Sequence, residues 1–175
     1  MVQSASNILV DNNELTECQT ALLTDPAKQS GETITFDGVS NYEIRYNTLY
    51  NNRAENIDNK GACNNGKVHH NDIISLESAG IYLDAWDKYQ HDIDVYNNRI
   101  HDQTNMSMIR GIAFGVENGG SMANINVYNN IIYGNTGIGI STIWYSTGPI
   151  DNVLIENNTV YNNTMGGIGS DFPTA

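Results

Sequence analysis

Residues 93–100 read Ile93-Asp94-Val95-Tyr96-Asn97-Asn98-Arg99-Ile100, and this stretch decides the fold. Its first four positions alternate apolar and polar residues, which is the period of a β-strand and not of a helix. The two asparagines that follow favour a tight bend, because Asn tolerates left-handed backbone conformations. A second short strand then begins at Arg99. The stretch therefore predicts a strand, a bend and another strand.

The same frame occurs six times along the chain. Its shared asparagine stands at Asn13, Asn47, Asn71, Asn98, Asn130 and Asn158, with an average spacing of 29 residues. A third strand follows each frame and is clearest at Gly80-Ile81, Gly111-Ile112 and Gly137-Ile138. Each repeat is therefore predicted to supply three short strands joined by turns, and the whole chain to be one repeat architecture.

Repeats that stack as the coils of a solenoid place equivalent residues in columns, with neighbouring strands about 4.8 Å apart. Two apolar columns are expected to form the core, and the shared asparagines a ladder of amide hydrogen bonds. The first apolar column consists of Val10, Ile44, Val68, Val95, Val127 and Ile155. The second consists of Leu15, Leu49, Ile73, Ile100, Ile132 and Val160.

The composition excludes several classes of function. The 175 residues include 20 Asp and Glu against 8 Lys and Arg, which gives a net charge of −12. An acidic chain without a basic cluster is not expected to bind nucleic acid. No apolar run approaches the roughly 20 residues of a membrane span. The length predicts a single domain over residues 1–175, and the 39% hydrophobic content argues against disorder despite 26 asparagines.

The cysteines and the adjacent histidines carry no metal-binding pattern. A disulfide between Cys18 and Cys63 and two buried thiols both remain open. His69 and His70 are expected to point to opposite faces of a strand, which disfavours a shared metal. No signal peptide is visible. No end cap is evident either, which leaves three alternatives open: a fragment of a longer solenoid, a natural minimal solenoid, or an oligomer that caps its own ends.

The frame followed by its Gly-Ile strand resembles the right-handed parallel β-helix of the pectate-lyase-like superfamily over about residues 7–170. The resemblance implies an all-β fold, a right-handed parallel β-helix of about six coils with an asparagine ladder. That superfamily contains polysaccharide lyases, glycoside hydrolases and non-catalytic scaffolds. It therefore implies an extracellular or cell-surface protein related to carbohydrate, but it does not fix an activity.

The loop after the Gly80-Ile81 strand, in the third repeat, holds the densest set of chemically functional residues. The candidate catalytic residues in this loop and in the coil stacked on it are Asp84, Asp87, Lys88, Arg110 and Glu117. The candidate sugar-binding residues are Trp86, Tyr89 and His91. Aligning Ile81 with Ile112 brings Glu117 near this loop, and the same alignment places Lys60 level with Asp84.

These residue types suit the cleavage of a polysaccharide. Lys88 or Arg110 could remove the C5 proton of a uronate in a β-elimination. A pair of carboxylates could instead act as acid and base in a hydrolase. Asp84, Asp87 and Glu117 could also hold Ca²⁺, the one cofactor that the sequence suggests. An ordinary surface loop with an ion pair explains the same residues without any ligand.

Two functions therefore remain open. The first is a carbohydrate-active or carbohydrate-binding β-helix, a polysaccharide lyase or glycoside hydrolase if it is an enzyme. The second is a non-catalytic scaffold or adhesin module that forms homo-oligomers through its ends. The net charge of −12 disfavours a polyuronate substrate unless a positive patch or Ca²⁺ compensates, and it favours a neutral glycan.

Overall fold

The structure, a computed structural model, describes residues 1–18, 32–75, 78–104, 110–143 and 145–170. These residues form 19 short strands in three sheets, and the pairing between neighbouring coils is parallel throughout. The predicted class, an all-β parallel solenoid, is confirmed. The described residues include no helix long and apolar enough to cross a membrane.

The chain passes through the three sheets in turn, and β19 adds a seventh strand to sheet A. Sheet A contains β1 (Val2–Gln3), β4 (Ile34–Asp37), β7 (Ile57–Lys60), β10 (Ala79–Asp84), β13 (Arg110–Gly115), β16 (Ile138–Thr142) and β19 (Gly166–Gly169). Sheet B contains β2 (Ser6–Asp11), β5 (Ser40–Arg45), β8 (Asn64–His69), β11 (Tyr89–Tyr96), β14 (Ser121–Tyr128) and β17 (Ile150–Glu156). Sheet C contains β3 (Glu14–Thr16), β6 (Thr48–Asn52), β9 (Asp72–Ser75), β12 (Arg99–His101), β15 (Ile131–Tyr133) and β18 (Thr159–Tyr161).

The two predicted apolar columns form the core in the predicted register. Val95 pairs with Val68 in the coil before it and with Val127 in the coil after it. Ile100 stands in the second column, between the equivalent isoleucines of its neighbours. The side chains in the middle of both columns are fully buried. Burying each such aliphatic side chain stabilises the fold by about 1.5–3 kcal/mol.

The asparagine ladder is present and its members bond from coil to coil. Nδ2 of Asn98 donates to Oδ1 of Asn130 at 3.0 Å and to the carbonyl of Val68 at 2.9 Å. Oδ1 of Asn98 accepts from Nδ2 of Asn71 at 3.0 Å and from its backbone N–H at 3.1 Å. The ladder therefore satisfies backbone groups that the bend between sheets B and C would otherwise leave unpaired and buried.

The bend itself lies one residue earlier than the sequence suggested. The left-handed residues between sheets B and C directly precede the ladder and have φ of 52–57°: Asn12, Tyr46, His70, Asn97, Asn129 and Asn157. The two neighbouring residues have separate roles, because the first turns the chain and the second, the ladder asparagine, points its amide inward. Twelve of the 21 non-glycine residues with positive φ among the described ranges are Asn, which explains the unusual composition.

A second, shorter ladder joins sheets C and A and was not predicted. The backbone N–H of Gln103 donates to Oδ1 of Asn135 at 3.1 Å, and Nδ2 of Asn135 donates to Oδ1 of Asn163 at 2.9 Å. These residues stand outside the repeated frame, so the frame could not reveal them. Cys18 and Cys63 are free thiols, and Cys63 is buried.

The outward face of sheet A is buried. Its central column consists of Thr35, Asp58, Tyr82, Ala113 and Ser141, all less than 7% exposed. A second apolar cluster forms there from Tyr82, Ala113 and Ile143 with their neighbours. Polar groups on this face are therefore shielded from water, which changes their acid–base behaviour.

Candidate functional site

A cleft of about 350 Å³ opens at the carboxyl end of the strands of sheet A. It is lined by Asp37, Lys60, Gly61, Asp84, Trp86, Asp87 and Lys88. Asp37 pairs with Lys60, and Lys60 pairs with Asp84, so these residues stand level on three successive coils. Coil stacking therefore gathers the three charges, and the predicted alignment of Lys60 with Asp84 is confirmed.

Three carboxylates surround the ammonium group of Lys60. Its Nζ lies 2.9 Å from Oδ2 of Asp58, 3.2 Å from Oε1 of Glu32 and 3.5 Å from Oδ2 of Asp84. The side chain of Asp58 is fully buried and that of Asp84 is 3% exposed. One cation thus faces three acidic groups in a poorly solvated place, which favours protonation of a carboxyl.

Burial sets the ionisation of this cluster. It raises the pKa of Asp84 to about 6, with repulsion from Glu117 adding to the rise and the attraction of Lys60 opposing it. Burial also raises the pKa of Asp58 well above its usual range, although Lys60 opposes this. For Lys60, burial would lower the pKa, but attraction to Asp58 and the other carboxylates outweighs it and raises the pKa. Lys60 therefore stays an ammonium ion, whereas Asp84 titrates close to neutral pH.

A strained turn places Trp86 at the mouth of the cleft. The turn is closed by the N–H of Lys88, which donates to the carbonyl of Ala85 at 2.9 Å. Trp86 has a φ of 49°, a conformation that bulky side chains rarely adopt, and its N–H donates to Oδ1 of Asp84 at 3.0 Å. Trp86 is 47% exposed. Backbone strain that holds an exposed aromatic beside a buried acid suggests a binding site.

Glu117 lies next to the cluster but does not line the cleft. Its Oε1 accepts a hydrogen bond from Oη of Tyr82 at 2.7 Å. The turn that follows it packs on the Trp86 loop, where the N–H of Gly120 donates to the carbonyl of Trp86 at 3.1 Å. Stacking therefore brings Glu117 beside this loop, and its charge reaches Asp84. Because Glu117 does not line the cleft, we do not expect it to contact a ligand there.

Arg110 is not brought into the cleft. It pairs with Ala79 at the start of its strand, whereas Asp84 pairs with Gly115 at the end. Five residues of extended chain separate these levels by about 16 Å. The Arg110 side chain is buried, and its Nε donates to Oγ of Ser141 at 3.1 Å. It lines a separate cavity of about 20 Å³, so the structure does not bring it together with Asp84, and its catalytic role stays a sequence-based prediction.

Tyr89 and His91 lie outside the cleft as well. Both belong to the outward face of sheet B, where their rings stack with centroids 4.5 Å apart. Nδ1 of His91 lies 2.7 Å from Oδ2 of Asp92. The chain turns between the cleft loop and β11, which carries these two side chains onto another sheet. Of the three predicted sugar-binding residues, the structure brings only Trp86 to the cleft.

The calcium prediction gains no support from the geometry. Asp87 and Lys88 form an exposed ion pair at 2.9 Å, which contributes little to stability. Within the described ranges, no group of three or more His, Cys, Asp or Glu side chains is arranged to hold a metal ion. The positive charge that faces the Asp84 carboxyl is the ammonium group of Lys60. Calcium binding by Asp84, Asp87 and Glu117 stays a sequence-based prediction.

Sequence reasoning missed Asp58, Glu32 and Asp37. The first belongs to the strand Ile57–Lys60, whose Gly-Ile signature is absent. Its alignment with Tyr82 was available from the repeat, but its burial was not. Polar residues at the ends of consecutive sheet A strands were the signal that could have revealed Asp37.

Asp84→Asn is expected to change how stability depends on pH. The pKa of Asp84 rises from its ordinary value of 3.8 to about 6 on folding. This rise corresponds to about 3 kcal/mol of stability, fully present below the unfolded pKa and lost as pH rises through the folded pKa. The parent should therefore weaken relative to the variant between pH 4 and about pH 7. Urea unfolding across this window measures the difference, and a constant difference would contradict the assignment.

Comparison with known protein families agrees with this architecture. The family model described as the right-handed β-helix region matches residues 1–152. Neither the curated proteins nor the solved structures contain a match to the chain. The matched family includes carbohydrate-active enzymes and other proteins, so membership leaves the activity open. Because the match covers most of the sequence and the sheets form a parallel solenoid, the chain belongs to the right-handed β-helix family.

Proposed function

We propose that the cleft binds a neutral glycan and that Asp84 protonates the glycosidic oxygen during hydrolysis. One observation carries this: the exposed indole of Trp86 and the buried carboxyl of Asp84 line the same cleft. A volume of about 350 Å³ fits the usual size of ligand pockets. The flat apolar face of an indole supplies a platform on which a sugar ring packs.

The ionisation of Asp84 suits a general acid. With a pKa of about 6, it retains its proton in mildly acidic solution, where ordinary aspartates are ionised. Lys60 stands beside it as an ammonium ion and stabilises the carboxylate that forms when the proton leaves. After transfer, the proton resides on the leaving-group oxygen of the glycan.

Asp37 is the matching candidate for a general base. It stands two coils from Asp84, with Lys60 between them, so the Cα atoms are about 9.6 Å apart. Inverting hydrolases separate their two carboxyl groups by about 6.5–9.5 Å, which leaves room for a water molecule, and the separation of these two Cα atoms lies just above that range. Oδ2 of Asp37 accepts a hydrogen bond from Nε2 of Gln3 at 3.0 Å, which orients the carboxylate.

Hydrolysis is favoured over β-elimination by the charges in the cleft. A lyase base must be neutral before it takes a proton, whereas the surrounding carboxylates keep Lys60 protonated. Lys88 forms an exposed ion pair with Asp87, away from any buried environment that would favour a neutral amine. Arg110 lies outside the cleft. With Asp84 protonated, Asp37 and Asp87 only balance Lys60 and Lys88, so the cleft has no net positive charge to attract the carboxylates of a polyuronate.

Trp86→Ala is expected to weaken glycan binding by about tenfold or more, which equals about 1.4 kcal/mol, because the variant lacks the stacking platform. Calorimetric titration against a panel of neutral oligosaccharides identifies the ligand, and the variant is then compared with the parent. Tyr89→Ala is the matched control, because Tyr89 is 49% exposed but lies outside the cleft. Equal affinities in all three proteins would contradict the proposal.

The same panel separates binding from turnover. Hydrolysis is followed as the appearance of new reducing ends. In Asp84→Asn it should disappear while binding persists, because the amide keeps the shape of the carboxyl group but is not acidic enough to transfer a proton to the glycosidic oxygen. Binding that depends on Trp86 without any turnover would limit the function to recognition. An extracellular location and association through the ends stay predictions.

A further inference from the structure

Two imidazole rings meet at the bend between sheets B and C. His69 ends β8, and His70 follows it with a φ of 54°. The left-handed bend folds the second ring back towards the first, so their Nδ1 atoms lie 2.8 Å apart with the ring planes at 81°. The expectation that the two side chains point to opposite faces is wrong, because strand alternation ends at His69.

No other described coil carries this pair. The bend position holds Asn12, Tyr46, Asn97, Asn129 and Asn157 elsewhere. In the next two coils, the position of His69 is filled by Tyr96 and Tyr128. Neither the bend nor the ring stack requires histidine, because other residues occupy both positions in the other coils.

The outer nitrogens of both rings already have partners. Nε2 of His69 lies 2.6 Å from Oε1 of Glu43, so this nitrogen carries the hydrogen and Nδ1 presents its lone pair. Nδ2 of Asn97 lies 3.3 Å from Nε2 of His70. Turning this amide by 180° presents its oxygen instead, so that Nε2 of His70 donates to it and Nδ1 is left with its lone pair. A carboxylate behind an imidazole is the arrangement that orients a metal-ligating histidine.

Neighbouring rings hold the pair in place. Tyr96 stacks on His69 with centroids 4.5 Å apart and planes at 11°. The ring of Tyr46 lies 4.9 Å from that of His70. His69 is buried and His70 is exposed, so one ligand is rigid while the other side of the pair is open to water.

We propose that the Nδ1 atoms of His69 and His70 bind one copper(II) or nickel(II) ion, with water completing the coordination. Two nitrogens 2.8 Å apart subtend about 90° at an ion about 2.0 Å from each, which is the angle between neighbouring ligands in a tetragonal site. A tetrahedral zinc ion would require about 3.3 Å between them. The net charge of −12 adds a general attraction for cations.

The test is a titration of the parent with copper(II) chloride in a buffer that does not chelate metals. Calorimetry should show one saturating equivalent with micromolar affinity, electron paramagnetic resonance should show two coordinating nitrogens, and zinc should bind at least tenfold more weakly. His70→Asn should weaken copper binding at least tenfold, while the bend persists as it does at Asn97. His91→Asn is the control and should bind copper as the parent does.

His69→Tyr provides a second variant, because tyrosine fills this position in the two following coils. It should also lose the copper site, and it keeps the test decisive if His70→Asn does not fold. The proposal is overturned if the parent shows no saturable binding, if both variants bind like the parent, or if His91→Asn loses binding equally. The 2.8 Å contact is then a hydrogen bond alone.

Discussion

Asn98→Leu is expected to lower the free energy of unfolding by about 4 kcal/mol or more, enough to unfold many domains of this size. The side chain is 1% exposed and makes four hydrogen bonds within the ladder. Leucine makes none of them, so the carbonyl of Val68 and the N–H of Asn71 lose these buried partners. Each such group costs about 1–3 kcal/mol. Urea unfolding followed by circular dichroism measures the loss.

Asn126→Leu is the matched control for this change. Asn126 is an outward residue of β14, and its side chain donates to Oδ1 of Asp94 at 2.8 Å. The equivalent residue in the next coil is already Leu154. The control should therefore stay within about 0.5 kcal/mol of the parent. Equal losses in the two variants would mean that the ladder is not what stabilises the bend.

Gly66→Ala is expected to destabilise the fold by about 3 kcal/mol. Gly66 pairs with Tyr42, and a Cβ on this glycine would stand 2.1 Å from Cζ of the tyrosine ring. The ring cannot move aside at low cost, because it is buried and packs edge-on against Phe36 with centroids 5.2 Å apart. Thermal and urea unfolding both measure the effect.

A second substitution should rescue the first. The column that holds Tyr42 and Gly66 contains isoleucine at Ile8, Ile93 and Ile125. Tyr42→Ile removes the ring that an alanine at position 66 would strike, although alone it leaves a cavity. The double variant should therefore be at least about 2 kcal/mol more stable than the sum of the single changes predicts. Simple additivity would contradict the assigned clash.

Much of the fold could be predicted because a solenoid converts sequence spacing directly into contacts. Aligning the repeated frames gives the core columns and the ladder, and aligning Ile57 with Ile81 places Lys60 level with Asp84. The same logic brought Glu117 near the Trp86 loop. These inferences need only the repeat and the distance between coils.

The rest depends on features that the repeat does not encode. Asp58 matters because the outward face of sheet A is buried, and its sequence position reads like a solvated strand residue. Arg110 belongs to the coil stacked on the Asp84 strand, but it stands at the opposite end of that strand pair, level with Ala79. The meeting of His69 and His70 required the left-handed bend to be placed one residue earlier.

The most direct test of the glycan site is the position of a bound sugar, measured by nuclear magnetic resonance. The indole N–H signal of Trp86 is identified by its loss in Trp86→Phe, and a neutral oligosaccharide that binds is then added. The account predicts saturable shifts of this signal and of the amide of Gly61, which also lines the cleft. Shifts confined to the stacked rings of Tyr96 and Tyr128 on sheet B, with Trp86 unchanged, would contradict it.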